Sequence, residues 1–254
     1  MKKYQLSILL AVIPFILVFI VWILVTNSGL IKPFFLPGPL SVLKAGIDLF
    51  VNGNFLNDII ISIIRILTGF FIGIALAIPV GVLLGSNKKV EMTFEPIIDF
   101  VRYTPIPAFI PLIILWFGIG ETEKMIVIAA SVFFQLVLMV ANSVSHIPDE
   151  MVQFAKTLGL SKTEIVFKIL FPYSWPQIFD DMRVSMGWAW TSLLIAEVVG
   201  ATSGIGYVII QSQRLLKTEN VIFAIIIVGI LGITIDLIFK YSQKILFPWY
   251  KKES

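Results

Sequence analysis

The sequence predicts an all-α membrane protein of six transmembrane helices, and three observations carry that prediction. Of its 254 residues 58% are hydrophobic and only 14% charged, against about 25% charged in a soluble domain. Runs of spanning length with little charge fall at 7–27, 59–85, 94–117, 124–146, 174–200 and 220–240. The longest polar interruption, Pro148 to Pro176, separates the fourth run from the fifth. The chain therefore reads as one membrane domain over 1–254, multi-pass, with a coupling loop over 147–173.

Composition also excludes. A net charge of +3 is small, and nucleic acid is not implied. With no Cys and a single His146, neither thiol chemistry nor a Cys or imidazole metal site is expected. No G-x-x-x-x-G-K-[ST] phosphate cradle, HExxH or nucleophile elbow occurs, so no catalytic residue is assigned.

In chain order, Lys2 and Lys3 precede Ile8–Val25, which is longer than a signal-peptide core and has no small-x-small site after it. It reads as a retained first span. Pro33, Pro37 and Pro39 then lead into Leu40–Phe50, an amphipathic interfacial helix. The second span carries Gly69, Gly73, Ala77, Gly81 and Gly85 on one stripe, a face another helix can approach closely. Pro79 lies in the same span as a point of bending.

The third span opens with Glu95, Asp99 and Arg102 and then meets Pro105, Pro107 and Pro111. Each proline frees a carbonyl, so this is either a helix broken at a solute cavity or a simple kink. Asp99 and Arg102 read as an ion pair near the cytoplasmic side. The fifth span begins with Asp180, Asp181 and Arg183 and holds Glu197 far along it; the sixth holds Asp236. A carboxylate at that depth costs about 2.5–3.5 kcal/mol on insertion scales. Glu197 either pairs with Arg65 or faces a solute path. The turn from Gly200 to Tyr207 places Thr202 and Ser203 at an outer gate, and Pro105, Pro107, Glu197, Thr202 and Ser203 are the pathway candidates.

The interruption itself has helix signals. Pro148 and Asp149 suit a first turn, Gly159 a C-terminal stop, and Ser161-Lys162-Thr163-Glu164 a capping box before a second helix ending at Pro172. Lys88, Lys89, Lys156, Lys162, Lys168 and the terminal lysines, Lys251 and Lys252 included, outnumber Lys32, Lys44, Lys124, Arg214 and Lys217 on the other side. The bias predicts both termini and this hairpin on the inside. Trp22, Trp116, Trp175 and Trp249 fall near span ends, as an interfacial belt requires.

Gln153-Phe154-Ala155-Lys156-Thr157-Leu158-Gly159, followed by Ile169-Leu170-Phe171-Pro172, resembles the EAA loop of ABC importer permeases. Gln153 stands where the motif has Glu, Phe154 where it has Ala, and Phe171 where it has Leu. Leu36–Pro39, Leu115–Gly120 and Ala196–Tyr207 resemble segments of the nitrate/sulfonate/taurine permease subfamily. The resemblance implies a type I ABC importer permease fold in the bacterial cytoplasmic membrane and a small anionic solute. It also implies a second, commonly identical permease copy, two cytoplasmic ATPases holding ATP and Mg, and an extracytoplasmic solute-binding protein. Gln153, Phe154, Ala155, Leu158, Gly159, Ile169 and Pro172 would then contact the ATPase, and no cofactor would bind this chain. An ion-gradient-driven transporter, an ABC permease for a different small nutrient and a membrane scaffold are the alternatives, and the absence of a clear internal repeat weighs against the first of them.

Overall fold

The computed structural model describes residues 2–250, with side chains from Val12 onward, and among these residues the regular elements are all helical. Lys251 and Lys252, used for orientation, lie outside the described residues. In order the helices are α1 (Lys2–Asn27), α2 (Pro39–Val51), α3 (Phe55–Ser86), α4 (Lys88–Tyr103), a 3-10 turn (Ile106–Phe109) and α5 (Ile110–Phe117). They continue with α6 (Glu121–Ser145), α7 (Asp149–Thr157), α8 (Lys162–Ile165), a π turn (Val166–Leu170), α9 (Phe171–Gly200), α10 (Ile205–Arg214) and α11 (Thr218–Leu246). By length and composition α3, α6 and α11 can each cross a membrane, and two bent pairs, one around residues 103–106 and one around 200–205, pass the same test jointly. Val12–Asn27 is a shorter apolar stretch.

The centre is a tight pair of α3 and α6. A Cβ placed on Gly69, Gly73, Gly81 or Gly85 would lie 2.6–2.8 Å from the Cβ of Ile128, Val132, Val140 or Val144 respectively, so only glycine permits this approach. Both series ascend together, which makes α3 and α6 parallel. Helix α9 runs against α6: Lys124 reaches Gly200, Ser131 meets Ser192 and Ser143 meets Asp181. Helix α11 in turn runs against α9, with Arg183 on Asp236 and Gln243 on the Pro176 carbonyl. Apolar side chains of α3, α6 and α9 fill the core, while α11 contributes little buried surface. Helix α2 is pinned at Gly46, where any side chain would run into the Phe223 ring.

The third run, read as a helix either broken or kinked at its prolines, is broken: α4 and the segment Ile106–Phe117 meet at 82°. Thr104 is extended there, as a residue before proline tends to be, and Pro105 and Pro107 have no N–H to continue the ladder. The second loop helix, by contrast, does not end at Pro172. The Phe171 N–H bonds the Val166 carbonyl five residues back, and this wider turn absorbs the proline and lets α8 run on into α9.

Candidate functional site

The hairpin α7–α8 is built as the residue pattern requires. Gly159 sits at φ +80°, its N–H bonds the Lys156 carbonyl, and the Leu160 N–H reaches the Ala155 carbonyl. These two bonds form a Schellman stop that turns the chain sharply. The Ser161 Oγ accepts from the Glu164 N–H, and the Glu164 carboxylate accepts from the Ser161 N–H at 3.0 Å and from Lys168 at 2.8 Å. Lys168 first, then Ser161, holds the Glu164 carboxyl down from 4.5 to about 2. The two faces of the hairpin differ. Ala155, Ile165 and Leu170 are buried in the main core, whereas Phe154 and Leu158 are each 65% exposed and Gln153 is exposed. Phe154 and Ile169 line an open groove with Met151, Lys168 and Tyr173, and exposed Pro172 forms part of its floor. Phe167 is also exposed, at 68%, and escaped the sequence reading because it falls between the motif positions.

At the opposite ends of α6 and α9 lies a buried ion cluster. Arg65 Nη1 donates to Glu197 Oε1 at 2.8 Å and to the Ser203 carbonyl at 2.7 Å, Nε donates to Glu121 at 2.6 Å, and Nη2 donates to Glu121 and to Ser203 Oγ. Three successive N–H groups at the start of α10 are taken up from neighbouring helices: Gly204 by Asp58, Ile205 by Ser62 Oγ and Gly206 by Glu197. Carboxylates at this helix end also meet its positive dipole. Gly204 has φ +107°, and a Cβ on Gly206 would lie 2.7 Å from that of Glu197, so the glycines of this turn are sterically required. Glu197 is fully buried and engaged on both oxygens, so it faces Arg65 and Ser62 instead of an open path. Ser203 belongs to the same cluster, and Thr202 is exposed beside it. Asp58, Ser62 and Glu121 were missed in the sequence, although Asp58, Ser62 and Arg65 share one face of α3 at helical spacing. Lys124, counted as an outside charge, is buried and bonds the Gly200 carbonyl, capping α9.

Pro105 and Pro107 stand at the break after α4 and line a cavity together with Arg102, Ser131, Gln135 and Ser192. Arg102 pairs with Asp99 at 2.7 Å. It shares the cavity lining with Ser131 and Gln135, part-way along α6. Asp236 is held by Arg183 and Lys240, each at 2.6 Å. Among the described residues no group of His, Cys, Asp and Glu is arranged to hold a metal.

A broken span beside a close-packed helical core, with a helical hairpin extending from the end where α6 gives way to α9, defines a transport permease architecture. The chain belongs to the family of binding-protein-dependent transport system inner membrane components, whose description matches residues 69–252. It is an inner-membrane ABC importer permease of the nitrate/sulfonate/taurine type, and permeases of this kind work with an ATPase and a solute-binding protein. It is 30% identical over 235 residues to the taurine transport system permease protein TauC of Escherichia coli, covering 91% of this chain and 86% of that one. It is 29% identical over 229 residues to SsuC of Bacillus subtilis, named for aliphatic sulfonates transport, covering 90% and 83%. The fold matches a chain of the MetNI methionine ABC transporter in an inward-facing conformation, with TM-score 0.67 at 18% identity over 78% of this chain and 96% of that one.

Proposed function

We propose that two identical copies of this permease form the path for a small sulfonate such as taurine, driven by two ATPase subunits that bind ATP and Mg and seat on the α7–α8 hairpins. An extracytoplasmic binding protein delivers the solute, and the chain itself performs no catalysis. The observation that carries this reading is the two-sided hairpin: Phe154 and Leu158 offer an apolar outer face while Ala155 and Ile165 tie the inner face to the core. A partner that grips the outer face moves α8, and α8 is continuous through the π turn with α9 and so with Glu197. ATP binding in the partner then favours one of two helix arrangements by differential affinity. Two features support the solute class: the relatives named for taurine and aliphatic sulfonates, and the positive charge of Arg102 at the broken span.

Reconstitution in liposomes tests it. Taurine uptake is expected only with ATP, ATPase and binding protein all present. Phe154→Ala, at an exposed position, is expected to cut uptake at least tenfold while leaving the melting temperature of the permease unchanged. Uptake by this chain alone in an ion gradient would overturn the reading.

A further inference from the structure

We infer that the cavity at the break after α4 is an anion subsite inside the membrane part, in which Arg102 and Gln135 receive the sulfonate head of the solute; this rests on the import reading above. The cavity, about 150 Å³, is walled by the proline break, by Ser131 and Gln135 of α6 and by Trp188, Thr191 and Ser192 of α9. Most of its exposed surface is apolar, but half of the residues around it carry a polar group, Arg102 and Gln135 among them. An ionisable group at this depth points to a solute path by default.

The hydrogen-bond inventory shows what the cavity lacks. Ser192 Oγ donates to Ser131 Oγ at 2.6 Å, and Ser131 Oγ donates to the Val127 carbonyl at 2.9 Å. Thr104 and Thr191 donate to the carbonyls of Phe100 and Gly187. The hydroxyl hydrogens are therefore all spent within the chain. Arg102 Nη2 is held by Asp99, but Nε is buried with no acceptor. The Gln135 amide has only the Met139 sulfur at 4.0 Å, too long for a strong bond. What remains is Arg102 Nη1 and a carboxamide N–H, neither holding an acceptor oxygen, on two residues that line one small space.

An oxyanion fills that need. Arg102 Nη1 and the Gln135 amide can each donate to one oxygen of a sulfonate or carboxylate, the first as a charge-assisted bond. The spent hydroxyls still offer lone pairs, suited to the ammonium end of an aminosulfonate such as taurine. Trp188 and Thr191 are exposed on a face of α9 that this chain leaves bare, so the cavity has an open side.

The test is calorimetric titration of taurine into the purified permease–ATPase complex without binding protein, beside taurine uptake by the complete importer in liposomes. One saturable site per permease is expected. Arg102→Gln should weaken it at least tenfold, Gln135→Leu should weaken it with assembly intact, and Asp99→Asn, which frees the guanidinium, should tighten it. Absence of saturable binding, or parental affinity in both Arg102→Gln and Gln135→Leu, overturns the subsite, and should Arg102→Gln fail to assemble, Gln135→Leu decides alone. Normal uptake without binding removes the subsite and leaves the import reading standing. Binding without uptake retains the subsite and removes the import reading.

Discussion

Arg65 commits all of its N–H donors to three neighbours, Glu197, Glu121 and Ser203, which differ sharply in burial. Glu197 is fully buried, while Glu121 is 56% exposed. Removing one partner of a buried pair costs about 3–5 kcal/mol because the other charge is left unpaired, whereas an exposed pair is worth about 0–1 kcal/mol. Arg65→Met should therefore lower the melting temperature of the detergent-solubilised permease far more than Glu121→Gln. The reverse order would contradict the clamp. Glu164 gives a second prediction at this scale. Its carboxyl is held at about 2 against an ordinary 4.5, so its stabilising contribution is complete above pH 4.5 and is lost as the pH falls through about 2. The melting difference between the parent and Glu164→Gln should be constant above pH 5 and shrink towards pH 2; a difference that grows on acidification would refute the pairing. These residues also mark how far the sequence can be read. Arg65 with Glu197 and Asp99 with Arg102 were legible as charges in apolar runs, which need partners. Glu121 with Arg65 and Asp236 with Arg183 were not, because each has a nearer charge that could serve as partner: Lys124 beside Glu121, Lys240 beside Asp236 and Asp180 beside Arg183.

Among elements, the stripe on α3 allows a sharp comparison. A side chain on Gly73 would meet Val132 and the Ala129 carbonyl, whereas Gly187 on α9 has open space around its Cβ position. Gly73→Leu is expected to abolish a monodisperse permease peak in size-exclusion chromatography, and Gly187→Ala to leave it unchanged. Equal tolerance at both sites would mean that α3 and α6 are not in close contact. Period-four small residues announced this packing face, but its partner and the parallel direction depend on tertiary structure. Likewise Ser161 and Glu164 announced the start of α8, since a cap is a local hydrogen bond. Its end was misread at Pro172 because a π turn is a compromise between neighbouring packed helices and leaves no residue signature.

For the molecule as a whole, the parallel course of α3 and α6 constrains topology. Two parallel spans need an odd number of crossings between them, and only α4, the 3-10 turn and α5 lie there. The bent pair must therefore return across the bilayer. Because the chain has no Cys, a single introduced one is an unambiguous label site. Lys88→Cys and Thr122→Cys, at the two ends of this segment, should react with an impermeant maleimide from opposite sides of the membrane. Labelling from one side would make the pair a re-entrant loop.

The same parallel pairing sets a timetable for synthesis. When α3 leaves the ribosome its glycine groove has no partner, because α6 follows only after the bent pair; some 60 residues at about 5–20 per second is about 3–12 s. During that interval the groove faces lipid or the insertion machinery, and the stripe that makes the finished core close-packed is also a face on which a neighbouring nascent α3 can dock. Assembly of this permease is thus a race between the arrival of its own fourth apolar run and an encounter with another chain, and slowing translation between Ser86 and Glu121 lengthens the odds against it.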